Sequence, residues 1–160
     1  LGMNQYNREN FALAPTFGDM DGDGDLDIVV GAEFGQLYYA ENIAGSGKPM
    51  QFGAWQEKYM GIDIGQGAVP QIMDINGDKL PDLVLGNRRG NLSYFQNTGT
   101  LQKAAFTPQD NALPNIQRLG KVDGTAEGNF IGYSAPLFFK QNQSSKSKDQ
   151  SLIDAFTNLW

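Results

Sequence analysis

Residues 19–27 read DMDGDGDLD, with aspartates at every second position. Carboxylates this close repel one another in a folded loop, so the pattern asks for a cation. Calcium takes roughly 6–8 oxygen ligands at about 2.3–2.6 Å, which a loop supplies by wrapping around the ion. In such a loop, positions 1, 3 and 5 aim side chains inward, and glycine at position 6 permits the sharp turn. Asp19, Asp21, Asp23 and Gly24 fill those places, Asp25 offers its carbonyl, and Asp27 closes the site. A second loop, DINGDKLPD at 74–82, repeats the spacing with Asp74, Asn76, Asp78, the Leu80 carbonyl and Asp82. The expected cofactor is Ca2+, one ion in each loop. The first loop carries the greater carboxylate charge, because Asn76 is neutral and Lys79 stands where glycine is expected. It should bind more tightly. An EF-hand would need a glutamate at position 12 and helical flanks; the chain has Val30 and Leu85 there, between strand-like segments.

The loops belong to a repeat. Segment 14–42 aligns without a gap on 69–97, pairing Pro15 with Pro70, Asp19 with Asp74, Gly31 with Gly86, Tyr39 with Tyr94 and Asn42 with Asn97. Leu26–Val30 and Leu83–Leu85 are short apolar runs ending at glycine, as buried strands do. Gln36–Ala40 and Asn91–Phe95 read as hairpin return arms, Ala14–Gly18 and Val69–Met73 as first strands. Fourth strands are expected near Phe52–Lys58 and Ala104–Thr107. Four strands per unit at a period of about fifty residues point to propeller blades. The expected fold is all-β: a partial β-propeller of two complete four-stranded blades plus the start of a third.

The expected organisation is repeat 1 over about 11–58, repeat 2 over about 68–107, a polar connection at 108–132, and a third-blade strand at 133–139. There the pattern stops, with Lys140, Ser144 and Lys148 where acidic ligands belong. Residues 140–160 read as a polar tail ending in a short amphipathic helix, with Leu152, Ile153, Phe156, Leu159 and Trp160 on one face.

The blades resemble the FG-GAP/VCBS repeat, the calcium-binding propeller unit related to the integrin α-chain head. Phe17-Gly18 and Gly31-Ala32 stand at the FG and GA of the name, with the acidic loop between them. The second unit has Ile72-Met73 and Gly86-Asn87 there instead. The resemblance implies calcium in the loop joining a blade's first two strands, on an extracellular protein. It implies no particular ligand or reaction.

Composition narrows the rest. Net charge is −6, and Asp19, Asp21, Asp23, Asp25, Asp27, Asp74, Asp78 and Asp82 supply much of the acidity. No basic patch suits a nucleic acid. Histidine and cysteine are absent, which removes Ser-His-Asp and Cys-His catalysis, thiolate zinc sites and disulfides. No apolar run is long enough to span a membrane. The start at Leu1-Gly2, without a basic-then-apolar leader, reads as a mature product or an internal fragment.

The expected function is a non-catalytic, calcium-binding module of a secreted or cell-surface protein, bacterial in origin, acting as scaffold or in adhesion. Its partners would be further blades or other chains, with a protein or glycan ligand. The alternative is a set of accessory blades in a larger carbohydrate-active enzyme. Tyr38, Tyr39, Tyr94, Phe95 and Trp55 are candidates for a sugar-binding surface or for packing between blades. Arg88-Arg89 marks a hairpin tip open to an anionic partner or to solvent.

Overall fold

The computed structural model describes residues 12–106 and 132–137. The expected connection at 108–132, apart from its last residue, and the tail at 140–160 with its helix lie outside the described residues. Among the described residues, seven strands run in two antiparallel sheets. The first sheet contains β1 (Ala14–Gly18), β2 (Asp27–Gly31), β3 (Leu37–Ala40) and the two-residue β4 (Gln56–Glu57), in sequential order. The second contains β5 (Val69–Met73), β6 (Asp82–Gly86) and β7 (Leu92–Phe95). Among the described residues these two sheets form part of a propeller, without a closed ring.

The repeat extends to register. Pro15 pairs with Val30 as Pro70 pairs with Leu85, and Gly18 pairs with Asp27 as Met73 pairs with Asp82. Side chains alternate across each strand, so every sheet has two unlike apolar faces. In the first, Val29, Leu37 and Tyr39 turn toward the second sheet, where Leu83, Leu85 and Phe95 meet them in one buried cluster. Ile28, Val30, Tyr38 and Ala40 form a separate cluster on the opposite face. The repeat equivalents of Val29 and Tyr39 are Val84 and Tyr94, and these lie on the far side of the second sheet. The sheets therefore stack front to back. A two-sheet sandwich that buried equivalent faces against each other would have no such polarity.

The joint between units rests on glycine. A Cβ on Gly31 would collide with the Ala68 carbonyl and the Pro70 ring, and one on Gly86 with the Ser134 carbonyl and Pro136. Ala68 N–H donates to Ala32 O at 3.1 Å, and Ser134 N–H donates to Asn87 O at the same distance. The third unit thus begins in the relation to the second that the second has to the first. Residues 132–137, which hold the described part of the expected third-blade strand at 133–139, form no strand.

The fourth strand expected near Ala104–Thr107 does not form within the residues described, which reach Phe106. After β7 the chain turns back tightly, with Thr100 bridging Lys103 and Thr98 N–H donating to Ala105 O. Ala104 and Phe106 enter the core between the sheets rather than the edge of β7. In the first unit the longer return bridges Asn42 to Phe52 before it reaches β4.

Tyr38, Tyr39, Tyr94 and Phe95 are all buried, and the half-buried Trp55 packs on the outer cluster. The four buried rings present no sugar-binding surface. Arg88 is not a free tip either. It pairs with Glu33 at 3.6 Å, donates to Gln66 Oε1 at 3.2 Å and lies 5.9 Å from the centroid of the Tyr133 ring. It ties together the first hairpin, the linker and the start of the third unit.

Candidate metal centre

The acidic loops join β1 to β2 and β5 to β6, where each antiparallel pair must reverse direction. In the first loop Asp19 accepts Gly22 N–H at Oδ1 (2.6 Å) and Gly24 N–H at Oδ2 (3.1 Å). Asp21 accepts Asp23 N–H, and Asp23 accepts Asp25 N–H. The second loop repeats each bond: Asp74 accepts from Gly77 and Lys79, Asn76 from Asp78, and Asp78 from Leu80. Short aspartate and asparagine side chains reach the backbone two to five residues on, which is why this spacing folds as a loop.

The closing aspartates do a second job. Asp27 accepts Met20 N–H and the Tyr39 hydroxyl at Oδ2, and Asn42 N–H at Oδ1. Asp82 makes the same three bonds with Ile75, Tyr94 and Asn97. Each locks its loop to the third strand of its own sheet. Sequence reading missed the tyrosine and asparagine partners. Their signal was present, since Asp, Tyr and Asn keep the same spacing in both repeats.

Burial holds the Asp27 and Asp82 carboxyls above the usual aspartate range, partly offset by those donors. Burial also raises the Tyr39 and Tyr94 hydroxyls, with the adjoining carboxylates adding to the effect. Tyr59, stacked on Tyr39 at 4.7 Å between ring centroids, is pushed up to about 12 by burial. The Tyr39 and Tyr94 phenols stay protonated and donate to Asp27 and Asp82.

Asp19, Asp21 and Asp23 each place a carboxylate oxygen within 4.8 Å of the others. Burial raises the Asp21 carboxyl, and the charges of Asp23, Asp19 and Asp25 raise it further. Asp25 is buried; its Oδ2 accepts Gly45 N–H at 2.9 Å, while Oδ1 has no hydrogen-bond partner. Three converging, mutually repelling carboxylates fit a hard cation, and an all-oxygen set suits calcium over softer metals. Asp27 stands outside this convergent group, held by its three donors.

The second loop brings together less charge. Asn76 Nδ2 donates to Asp78 Oδ2 at 2.8 Å, filling one of the carboxylate oxygens a cation would use. The backbone N–H of Leu80 and the Asn76 amide lower the Asp78 carboxyl. Lys79 has φ 73°, the left-handed value that Gly24 takes at the matching place in the first loop.

Fold and site together define a class: a repeated β-unit with an acidic loop between its first two strands. Residues 11–47 match the family model of the FG-GAP repeat, a span that includes β1 to β3 and the first loop. No curated protein and no solved structure matches the chain. No helix among the described residues is long and apolar enough to cross a membrane.

Proposed function

We propose that the chain is a calcium-binding, non-catalytic propeller module of a secreted or cell-surface protein, serving as scaffold or in adhesion. The observation that supports this best is the convergence of Asp19, Asp21 and Asp23 on a loop whose hydrogen bonds recur in a second unit. In the first loop Asp19, Asp21 and Asp23 would hold the ion, with the Asp25 carbonyl and the remaining Oδ1 lone pair of Asp27. Asp74, Asn76, Asp78, the Leu80 carbonyl and Asp82 would do so in the second. Bound calcium supplies positive charge that cancels carboxylate repulsion and ties the β1–β2 and β5–β6 reversals. The faces left over on each side of the two sheets make further blades or other chains the natural partners.

Calorimetry with calcium chloride tests the reading. The chain should bind two ions, the tighter at the first loop, and its melting temperature should rise with free calcium by mass action. Asp19→Ala should remove the tighter site and Asp74→Ala the weaker. No binding heat together with an unshifted melting temperature would overturn the proposal; loss of the tighter site from Asp74→Ala would reverse the order.

A further inference from the structure

Asn76-Gly77 is the sequence's sole asparagine–glycine pair, and both residues are exposed in the second loop. A glycine after asparagine leaves the following backbone nitrogen unshielded, and a Cβ at Gly77 would meet nothing within 4 Å. We propose that Asn76 is a self-modification site at which the side-chain amide is lost to water. The Gly77 nitrogen gives up its proton and bonds to Asn76 Cγ, the Cγ–Nδ2 bond breaks, and ammonia departs with that proton. Water then opens the succinimide to aspartate or isoaspartate, with no change of oxidation state.

The folded loop engages the Gly77 nitrogen and both heteroatoms of the Asn76 amide. Gly77 N–H donates to Asp74 Oδ1 at 2.7 Å, and a carboxylate on that proton opposes its removal. Asn76 Oδ1 accepts Asp78 N–H at 2.9 Å, while Nδ2 donates to Asp78 Oδ2 at 2.8 Å. Both ends of the amide are thereby held. Modification therefore follows loop opening, and the second loop acts as a guard on its own chemistry.

The two products have opposite consequences. Aspartate at 76 reproduces the first loop, where Asp21-Gly22 occupies the same place and accepts the corresponding bond from Asp23. It adds a carboxylate to the ligand set. Isoaspartate inserts a carbon into the main chain and misplaces the bond between Gly77 and Asp74. This link to metal affinity rests on the calcium reading above.

The test follows the full chain in chelator at mildly alkaline pH, folded and in urea, by mass spectrometry of the peptide across Asn76. In urea Asn76 should convert faster than Asn42, Asn87 or Asn97, and Gly77→Ala should slow it, loop geometry playing no part there. In the folded chain conversion should be several-fold slower. Conversion in urea no faster than at the other asparagines, insensitivity to Gly77→Ala, or equal rates folded and unfolded would each overturn the proposal. These arms contain no metal, so they stand apart from the calcium reading. With calcium chloride, Asn76→Asp should bind more tightly at the second loop; unchanged binding while conversion proceeds would overturn the link to affinity.

Discussion

The two acidic loops share a hydrogen-bond scaffold and differ in what surrounds it. The first is gripped from two sides. Gly45 N–H donates to Asp25 on one side. On the other, the turn after β7 brings Leu101 so close that a Cβ on Gly22 would lie 3.0 Å from its carbonyl oxygen. The second loop has Leu80 in place of Asp25, and among the described residues nothing would meet a Cβ on Gly77 within 4 Å. The difference teaches that local spacing builds the loop, while the neighbouring unit decides how firmly it is held. Among the described residues, the loop with more ligand charge is also the one with more support.

The largest expected effect tests what the loops share. Asp27→Ala and Asp82→Ala each strand two backbone N–H donors and a tyrosine hydroxyl in buried surroundings. An unsatisfied buried group costs about 1–3 kcal/mol, so each variant should lose at least about 3 kcal/mol by urea unfolding. A large loss from one and a negligible loss from the other would break the equivalence of the locks.

Next comes the brace. Gly22 and Gly77 have φ near 78° and 81°, so alanine at either meets left-handed strain of about 1–2 kcal/mol. Only Gly22→Ala also presses on Leu101. It should destabilise the chain more than Gly77→Ala, and equal losses would remove the brace from the comparison. A smaller effect is expected at Lys79. Lys79→Gly relieves strain of about 1–2 kcal/mol, offset by the greater freedom of glycine in the unfolded chain. The net gain should stay within about 1 kcal/mol, with tighter calcium binding at the second loop as a charge is removed. Weaker binding would show that Lys79 helps to hold the loop.

The smallest effect is in titration without metal. Asp21 sits above the ordinary aspartate value of 3.8 and Asp78 below it. The raised group favours the folded state below 3.8, a contribution lost as pH rises through its folded value. The lowered group contributes above 3.8 and loses that as pH falls through its own. Carboxyl NMR titration in chelator should find Asp21 protonating at higher pH than Asp78, and the reverse order would contradict the loop geometry.

Much of this was readable from spacing. The strands Ala14–Gly18 and Val69–Met73 run as expected, and the left-handed turn at Lys79 follows from its alignment with Gly24. Those features depend on contacts within a few residues. The locks by Tyr39 and Tyr94, the Leu101 brace and the Arg88 clamp join distant parts of the chain, where alternation alone says nothing about which atoms meet. Ala104 and Phe106 carry strand-like composition, and among the described residues they pack in the core between the sheets, a contact that alternation does not specify.

Front-to-back stacking also governs assembly. An interface between unlike surfaces does not satisfy itself after one pairing, since each added sheet presents the face that the last one covered. Head-to-tail contacts of this kind close into a ring when the rotation per step divides a full turn, and otherwise extend as an open helix. The acidic loops fix how firmly each sheet is tied within itself. The angle set where Pro70 lies against Gly31, renewed where Pro136 meets Gly86, fixes how many sheets a finished circle holds.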